Sequence, residues 1–336
     1  MQASQAVGKS IIAAVALSLG IASAPLAAQP TLKMASATIN DVQHQWLQRF
    51  EAEVKARAGG KLQLQIYPAS QLGTIPRMVE GLVTGTIESF VTPASFLVGT
   101  DPRFQIFDAV GLFQSPEHLN RVLQDPGLRA RALRIGEGKG IKGIGIFYNS
   151  PIIVLSRKPI RSLADFRGQK IRTFATPLQI EPMKALGANA VPMAFSEVLP
   201  ALQAGNIDGL LAGIPVLTAF KYYDAAKAIT QIHPSIVVSV FYVNKRWFDA
   251  LPADARQTVV DAGAKVDREL YPWTVGAIER ANKVWTDNGG QLLRLPPAEQ
   301  AQLMSQLRSV ADRVLGANPE VKAEYGELVK VAERVK

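Results

Sequence analysis

The sequence predicts an α/β protein of two lobes on mixed sheets, the lobes joined by strands and by a long bracing helix. Three observations carry this expectation. Apolar runs of strand length alternate with helical patterns along most of the chain, as in sheets whose strands are linked by crossover helices. A stretch from Pro252 to Asp287 reads as almost uninterrupted helix. At ~1.5 Å per residue it would be ~50 Å long, more than one small domain is wide. Finally, 336 residues with 48% hydrophobic and 19% charged content suffice for two ordinary globular domains.

In chain order, Thr31–Ala35 is a short strand, followed by a helix from about Asn40 to Ala58. Val42, Trp46, Leu47, Phe50 and Val54 form its apolar stripe, and Gly59-Gly60 stops it. Leu62–Tyr67 alternates as a half-buried strand. Pro76 opens a helix that ends at Gly85, Thr86–Val91 is a strand, and Ser115-Pro116-Glu117 starts another helix. Two strands are expected at Gly143–Asn149 and Ile152–Ser156. Further strands fit Lys170–Thr173, Ala190–Pro192, Ile207–Leu211 and Ile236–Val243, with helices near Pro177–Leu186 and Ser196–Ala204. Pro272 is expected to bend the long helix. Helices at about Pro297–Leu315 and Pro319–Val335 finish the chain, which has no fixed-period repeat and no low-complexity linker.

Residues 1–28 stand apart. Lys9 is their one charge, Ile11–Ile21 is apolar, and Ala22–Ala28 is rich in small residues, the layout of a secretory signal peptide cleaved near Ala28. The apolar run is too short to span a bilayer comfortably, so an exported, soluble mature chain is expected. With no cysteine there are no disulfides, thiolate nucleophiles or cysteine-held metals. The net charge is +9, but Lys and Arg are scattered, and export argues against nucleic acid as a partner.

Reactive constellations are missing. His44, His118 and His233 have no partner at ligand spacing, so no metal site is expected. No G-x-S-x-G elbow occurs. Gly136–Gly140 reads as a surface turn, because it lacks Ser or Thr after its lysine and precedes a strand. No feature of the sequence points to a carboxylate pair, and no catalytic residue or cofactor is expected.

Arg172 differs. It lies where a strand should end, beside a helix start at Thr176-Pro177 with a hydroxyl cap and proline at the first helical position. In open α/β sheets ligands bind at the carboxyl ends of strands, and helix amino ends aim free amides there. A guanidinium can hold a carboxylate through two parallel hydrogen bonds, which lysine cannot imitate. A lateral surface ion pair is the ordinary alternative. Arg172 therefore reads as a candidate anion clamp.

Several stretches together resemble a known family. They are Tyr67-Pro68-Ala69-Ser70-Gln71-Leu72-Gly73, Leu163–Arg172, Ala185–Asn189, Pro192–Val198, Ala201–Gly205 and Asp208-Gly209. With the export signal they are similar to the periplasmic solute-binding proteins of TRAP transporters, the DctP type, over essentially the whole mature chain. The resemblance implies a two-lobed periplasmic binding protein that closes on a small organic acid. It also implies delivery to a permease with small and large membrane subunits. Lobe I would hold residues 29–150 plus 240–280, and lobe II residues 151–239 plus 281–336 with the C-terminal helices. It implies that Arg172 pairs with the ligand carboxylate and that Phe195 packs on the ligand. A ligand sensor for a membrane receptor kinase is the alternative use of the same fold.

Two departures shape the expected pocket. Sugar-acid binders often carry a second arginine about twenty residues before the clamp, where this chain reads Asn149-Ser150-Pro151-Ile152-Ile153. Many relatives also carry Q-E-N-P after Asp-Gly, where this chain reads Leu210-Leu211-Ala212-Gly213. A buried site cannot leave ligand hydroxyls unpaired without cost. The expected ligand is thus a hydrophobic or aromatic monocarboxylate, with small dicarboxylates second. Expected wall residues are Ile152, Asn149, Ala212, Ile214, Phe174 and Phe195, with Thr38, Thr92 and Ser95 of the first lobe placed to supply neutral hydrogen bonds.

Overall fold

The computed structural model describes residues 29–335, without the side chains of residues 233 and 234; the expected signal peptide, residues 1–28, lies outside the described residues. The chain opens with β1 (Thr31–Ser36), α1 (Val42–Ala58), β2 (Gln63–Tyr67), α2 (Ile75–Thr84) and β3 (Ser89–Pro93). Two 3-10 turns, Ala94–Leu97 and Pro102–Asp108, precede α3 (Pro116–Leu123) and α4 (Pro126–Ala132). The middle comprises β4 (Ile141–Ser156), β5 (Lys170–Thr173), α5 (Pro177–Ala185), β6 (Asn189–Pro192), α6 (Phe195–Gln203), β7 (Gly209–Ala212) and α7 (Ile214–Ala219). The rest is β8 (Ala228–Asn244), α8 (Lys245–Ala250), α9 (Ala253–Asp287), β9 (Gln291–Arg294), α10 (Pro297–Gly316) and α11 (Pro319–Arg334).

Local chemistry sets these boundaries. The Asp41 carboxylate accepts the His44 amide and caps α1, while Gly59 leaves the helix in the left-handed conformation at φ 53°. All five residues of the expected α1 stripe are fully buried. Trp46 anchors them, its ring centroid 5.0 Å from Phe50 and 4.7 Å from Phe241.

Among the described residues the strands form one sheet in the order β2-β1-β3-β8-β4-β7-β5-β6, with β9 added against β8. β1, β2 and β3 pair in parallel on one side, and β7, β5 and β6 do so on the other. The long antiparallel strands β4 and β8 run between these halves and belong to both. This is the mixed-sheet, two-lobed architecture that the sequence predicts, and the central strands are the crossing segments.

The expected pair of strands at 143–149 and 152–156 is a single strand. Its register against β8 shifts between Gly143 and Gly145, between Tyr148 and Ser150, and again between Pro151 and Ile153. Such bulges break strict alternation and turn side chains onto the other face. That is why one strand reads as two. The long helix is continuous from Ala253 to Asp287, through Pro272, and packs on α1, β4, α7 and β9. Asp267 pins it, accepting hydrogen bonds from Trp46 Nε1 at 2.6 Å and the Ile146 amide at 2.8 Å, and an ion pair from Arg129. At the tail, α10 packs on α5, whereas α11 lies against α3 and the turn Pro102–Asp108. No helix of the described residues is long and apolar enough to cross a membrane.

Candidate functional site

β5 places Arg172 between two neighbours, paired with Val191 of β6 and Leu210 of β7. The side chain is fully buried. Nε and one terminal nitrogen donate to the Met193 carbonyl at 3.0 and 2.9 Å, and the other terminal nitrogen donates to the Leu211 carbonyl at 3.1 Å. A guanidinium has five N–H donors, so these bonds leave one free on each terminal nitrogen. Both partners are neutral carbonyls, and among the described residues no carboxylate lies within ion-pair distance of Arg172. Burial lowers its proton affinity to about 10, which still leaves it charged at neutral pH. The Phe174 ring lies 4.9 Å from the guanidinium carbon and Phe96 5.9 Å from it. What results is a rigid, desolvated cation whose charge no group of the described chain balances.

Arg172 lines a cleft bordered by residues of both halves of the sheet. Of the other expected residues, Thr38, Asn149, Phe174, Phe195 and Ala212 line the same cleft. Asn149 is oriented by its bond to Ser239 Oγ at 2.8 Å. Phe195 is buttressed edge-on by Phe220 and stacked by Tyr222. Phe96 of the first half meets Phe174 of the second across the cleft, with ring centroids 5.1 Å apart.

Four expected residues sit elsewhere. Ile152 follows the register shift in β4, joins the core with Val154 and Ile171, and borders a separate cavity beside Asp108. Ile214 points into the core at the start of α7, and Val216 lines the cleft instead. Thr92 is buried with its hydroxyl unpaired, and the alternation of β3 gives the cleft Pro93. Ser95 turns away to donate to Asp108 at 2.6 Å, leaving Phe96 at the wall. The expected hydroxyl cap at Thr176 is also not made; its side chain faces Asp108.

Asp108 links both halves. It holds Ser95 and faces Thr176 and Gln179 at the start of α5, and burial pushes its carboxyl up to about 6. Sequence reasoning missed Asp41, Phe96, Ser150 and Gly213, all of which border the cleft. A Cβ on Gly213 would lie 2.0 Å from Ser150 Oγ, so the glycine is what lets β7 end against β4 here. His44 accepts the Asn40 amide through Nδ1, and His118 bridges Gln114 and Ala332 at the base of α3.

Residues 34–317 match the family of bacterial extracellular solute-binding proteins, family 7, DctP. The 2,3-diketo-L-gulonate-binding periplasmic protein YiaO of Escherichia coli K12 is 30% identical over 66% of this chain and 68% of its own length. A TRAP periplasmic solute-binding protein from Desulfovibrio salexigens, solved with bound orotic acid, superposes with a TM-score of 0.86. It is 25% identical, over 91% of this chain and 99% of that one. A TRAP periplasmic solute-binding protein from Anaerococcus prevotii with bound glucuronate superposes with a TM-score of 0.83. It is 26% identical, over 91% and 99% of the two chains.

Proposed function

The chain belongs to the family-7 bacterial extracellular solute-binding proteins of the DctP type, and from that premise we propose that it captures an organic acid in the cleft at Arg172 for a TRAP permease. The observation that carries the proposal is the buried guanidinium, which has an unbalanced charge and two free N–H groups on separate nitrogens. A carboxylate meets both requirements, because its two oxygens accept parallel hydrogen bonds and its charge offsets the desolvated cation.

The preferred ligand in this reading is a monocarboxylate with a hydrophobic or aromatic body. Ile75, Phe96, Phe174, Phe195, Val216 and Val237 supply the large apolar side chains of the wall, and among the described residues no second arginine or lysine borders the cleft. The Desulfovibrio relative with orotic acid supports an aromatic acid, whereas YiaO and the Anaerococcus relative point to sugar acids. The apolar side chains favour the former, since hydroxyls set against them would lack partners.

The proposed lobe I comprises residues 29–150 and 240–280, and lobe II residues 151–239 and 281–336, with α11 reaching back to α3. Delivery to small and large permease subunits after export to the periplasm completes the proposal. The test is a thermal-shift screen against carboxylic acids. A ligand at 100 times its dissociation constant adds ~2.7 kcal/mol of stability. Hydrophobic or aromatic monocarboxylates are expected to give the largest shifts; a clear preference for glycuronic or sialic acids would overturn the ligand class.

A further inference from the structure

We infer that Asp41 selects the far end of the ligand: the cleft takes an acid that also carries an N–H or O–H donor, and it rejects a second carboxylate. This rests on the organic-acid reading of Arg172 and deepens it. Asp41 and Arg172 border the same cleft from different halves of the molecule, one ahead of α1 and the other on β5. Asp41 is only 3% exposed. One of its oxygens accepts the His44 amide at 3.0 Å, and among the described residues no cation lies within ion-pair distance of it. Burial raises the affinity of its carboxyl for a proton, opposed by the His44 and Gln43 amides, the Thr38 hydroxyl and the His44 ring. No ion pair joins the two charges, which border one cleft from different halves.

No counter-ion lies within ion-pair distance among the described residues; Arg280, over the Trp273 ring, borders a second cavity that Asp41 also lines. His44 accepts the Asn40 amide through Nδ1, which fixes the neutral tautomer, and burial lowers its proton affinity. Thr38 and Gln43 are neutral. Capping alone does not account for an aspartate here, because asparagine or serine caps a helix about as well without burying a charge. A buried carboxylate is stabilised by a further donor, most of all by a cationic one. Toward an anion it is repulsive, and the low dielectric of the cleft strengthens that repulsion. Arg172 would thus fix the carboxylate end and Asp41 a protonated amine, amide N–H or hydroxyl at the other, with the apolar wall between.

The experiment uses calorimetry on the mature protein with para-substituted benzoates and a matched straight-chain series. The benzoates are aminomethylbenzoate, hydroxymethylbenzoate, toluate and terephthalate; the chains carry amine, hydroxyl, methyl or carboxylate opposite the acid. In the wild type the amine and hydroxyl arms should bind at least tenfold tighter than the dicarboxylates. Asp41→Asn keeps the helix cap, and it should reduce the amine preference at least tenfold while admitting the dicarboxylates. A dicarboxylate that binds tightest to the wild type, or an order of affinities unchanged in Asp41→Asn, overturns the inference and leaves the organic-acid reading standing. Failure of every arm to bind the wild type overturns both.

Discussion

Replacing Arg172 by methionine removes the charge but keeps much of the volume, and replacing it by lysine keeps the charge but not the fork. Each of the two free N–H groups would make a charge-assisted hydrogen bond to the ligand. Truncating one partner of a desolvated charge pair costs ~2–5 kcal/mol. At about 1.4 kcal/mol per factor of ten, affinity should fall by roughly thirtyfold to several thousandfold. Thermal shift reads the same loss. A ligand at 100 times its wild-type dissociation constant adds ~2.7 kcal/mol, and after a hundredfold weakening only ~0.4 kcal/mol. With ~2.1 cal/mol/K of unfolding entropy per residue, a chain of this size moves about 1.5 °C per kcal/mol. The ligand-induced shift should therefore shrink from ~4 °C to below ~1 °C in Arg172→Met. Arg172→Lys should also lose at least tenfold, because a point charge cannot form two parallel bonds. A folded Arg172→Met variant that binds with wild-type affinity would refute the reasoning.

Three other perturbations have defined outcomes. The Asp108 carboxyl is raised from 3.8 to about 6, so the folded protein holds this proton more tightly than the unfolded chain, and the stability it contributes below pH 4 is lost as pH rises through 6. Asp108→Asn should gain stability relative to wild type by ~2–3 kcal/mol between pH 4 and pH 7; a difference between their melting temperatures that stays flat over that range would contradict this. Asp267→Ala leaves Arg129, Trp46 Nε1 and the Ile146 amide without their shared acceptor. It should cost ~3–5 kcal/mol in denaturant unfolding, and a loss under ~1 kcal/mol would remove Asp267 as the pin of α9. Gly213→Ala drives a methyl into Ser150 Oγ, and Ser150→Gly should restore most of the lost stability and binding in the double variant. Simple additivity in that cycle would count against the contact.

How much of this was legible depended on whether the signal was local. The α1 stripe, its Gly59 stop and the long helix follow from periodicity and from Gly and Pro placement, and they appear where the pattern puts them. Arg172 was legible because a strand end and a helix start flank it within a few residues. The bulges in β4 were not: their position depends on pairing with β8, more than seventy residues away, and they moved Ile152 to the other face. Asp41 was hidden for a different reason. An aspartate ahead of a helix has an ordinary local explanation as a cap, and only the assembled cleft shows that it is buried without a cation. Phe96 lies on a 3-10 turn with no periodicity to assign its face, so its contact with Phe174 exists only in three dimensions.

The most direct measurement is a crystal structure of the protein with the tightest acid from the screen. The account predicts one carboxylate in the cleft, its two oxygens within hydrogen-bonding distance of the two terminal nitrogens of Arg172, with Met193 and Leu211 still holding the other side of the guanidinium. A carboxylate bound away from Arg172 would contradict it, and so would a ligand facing Arg172 with a neutral group.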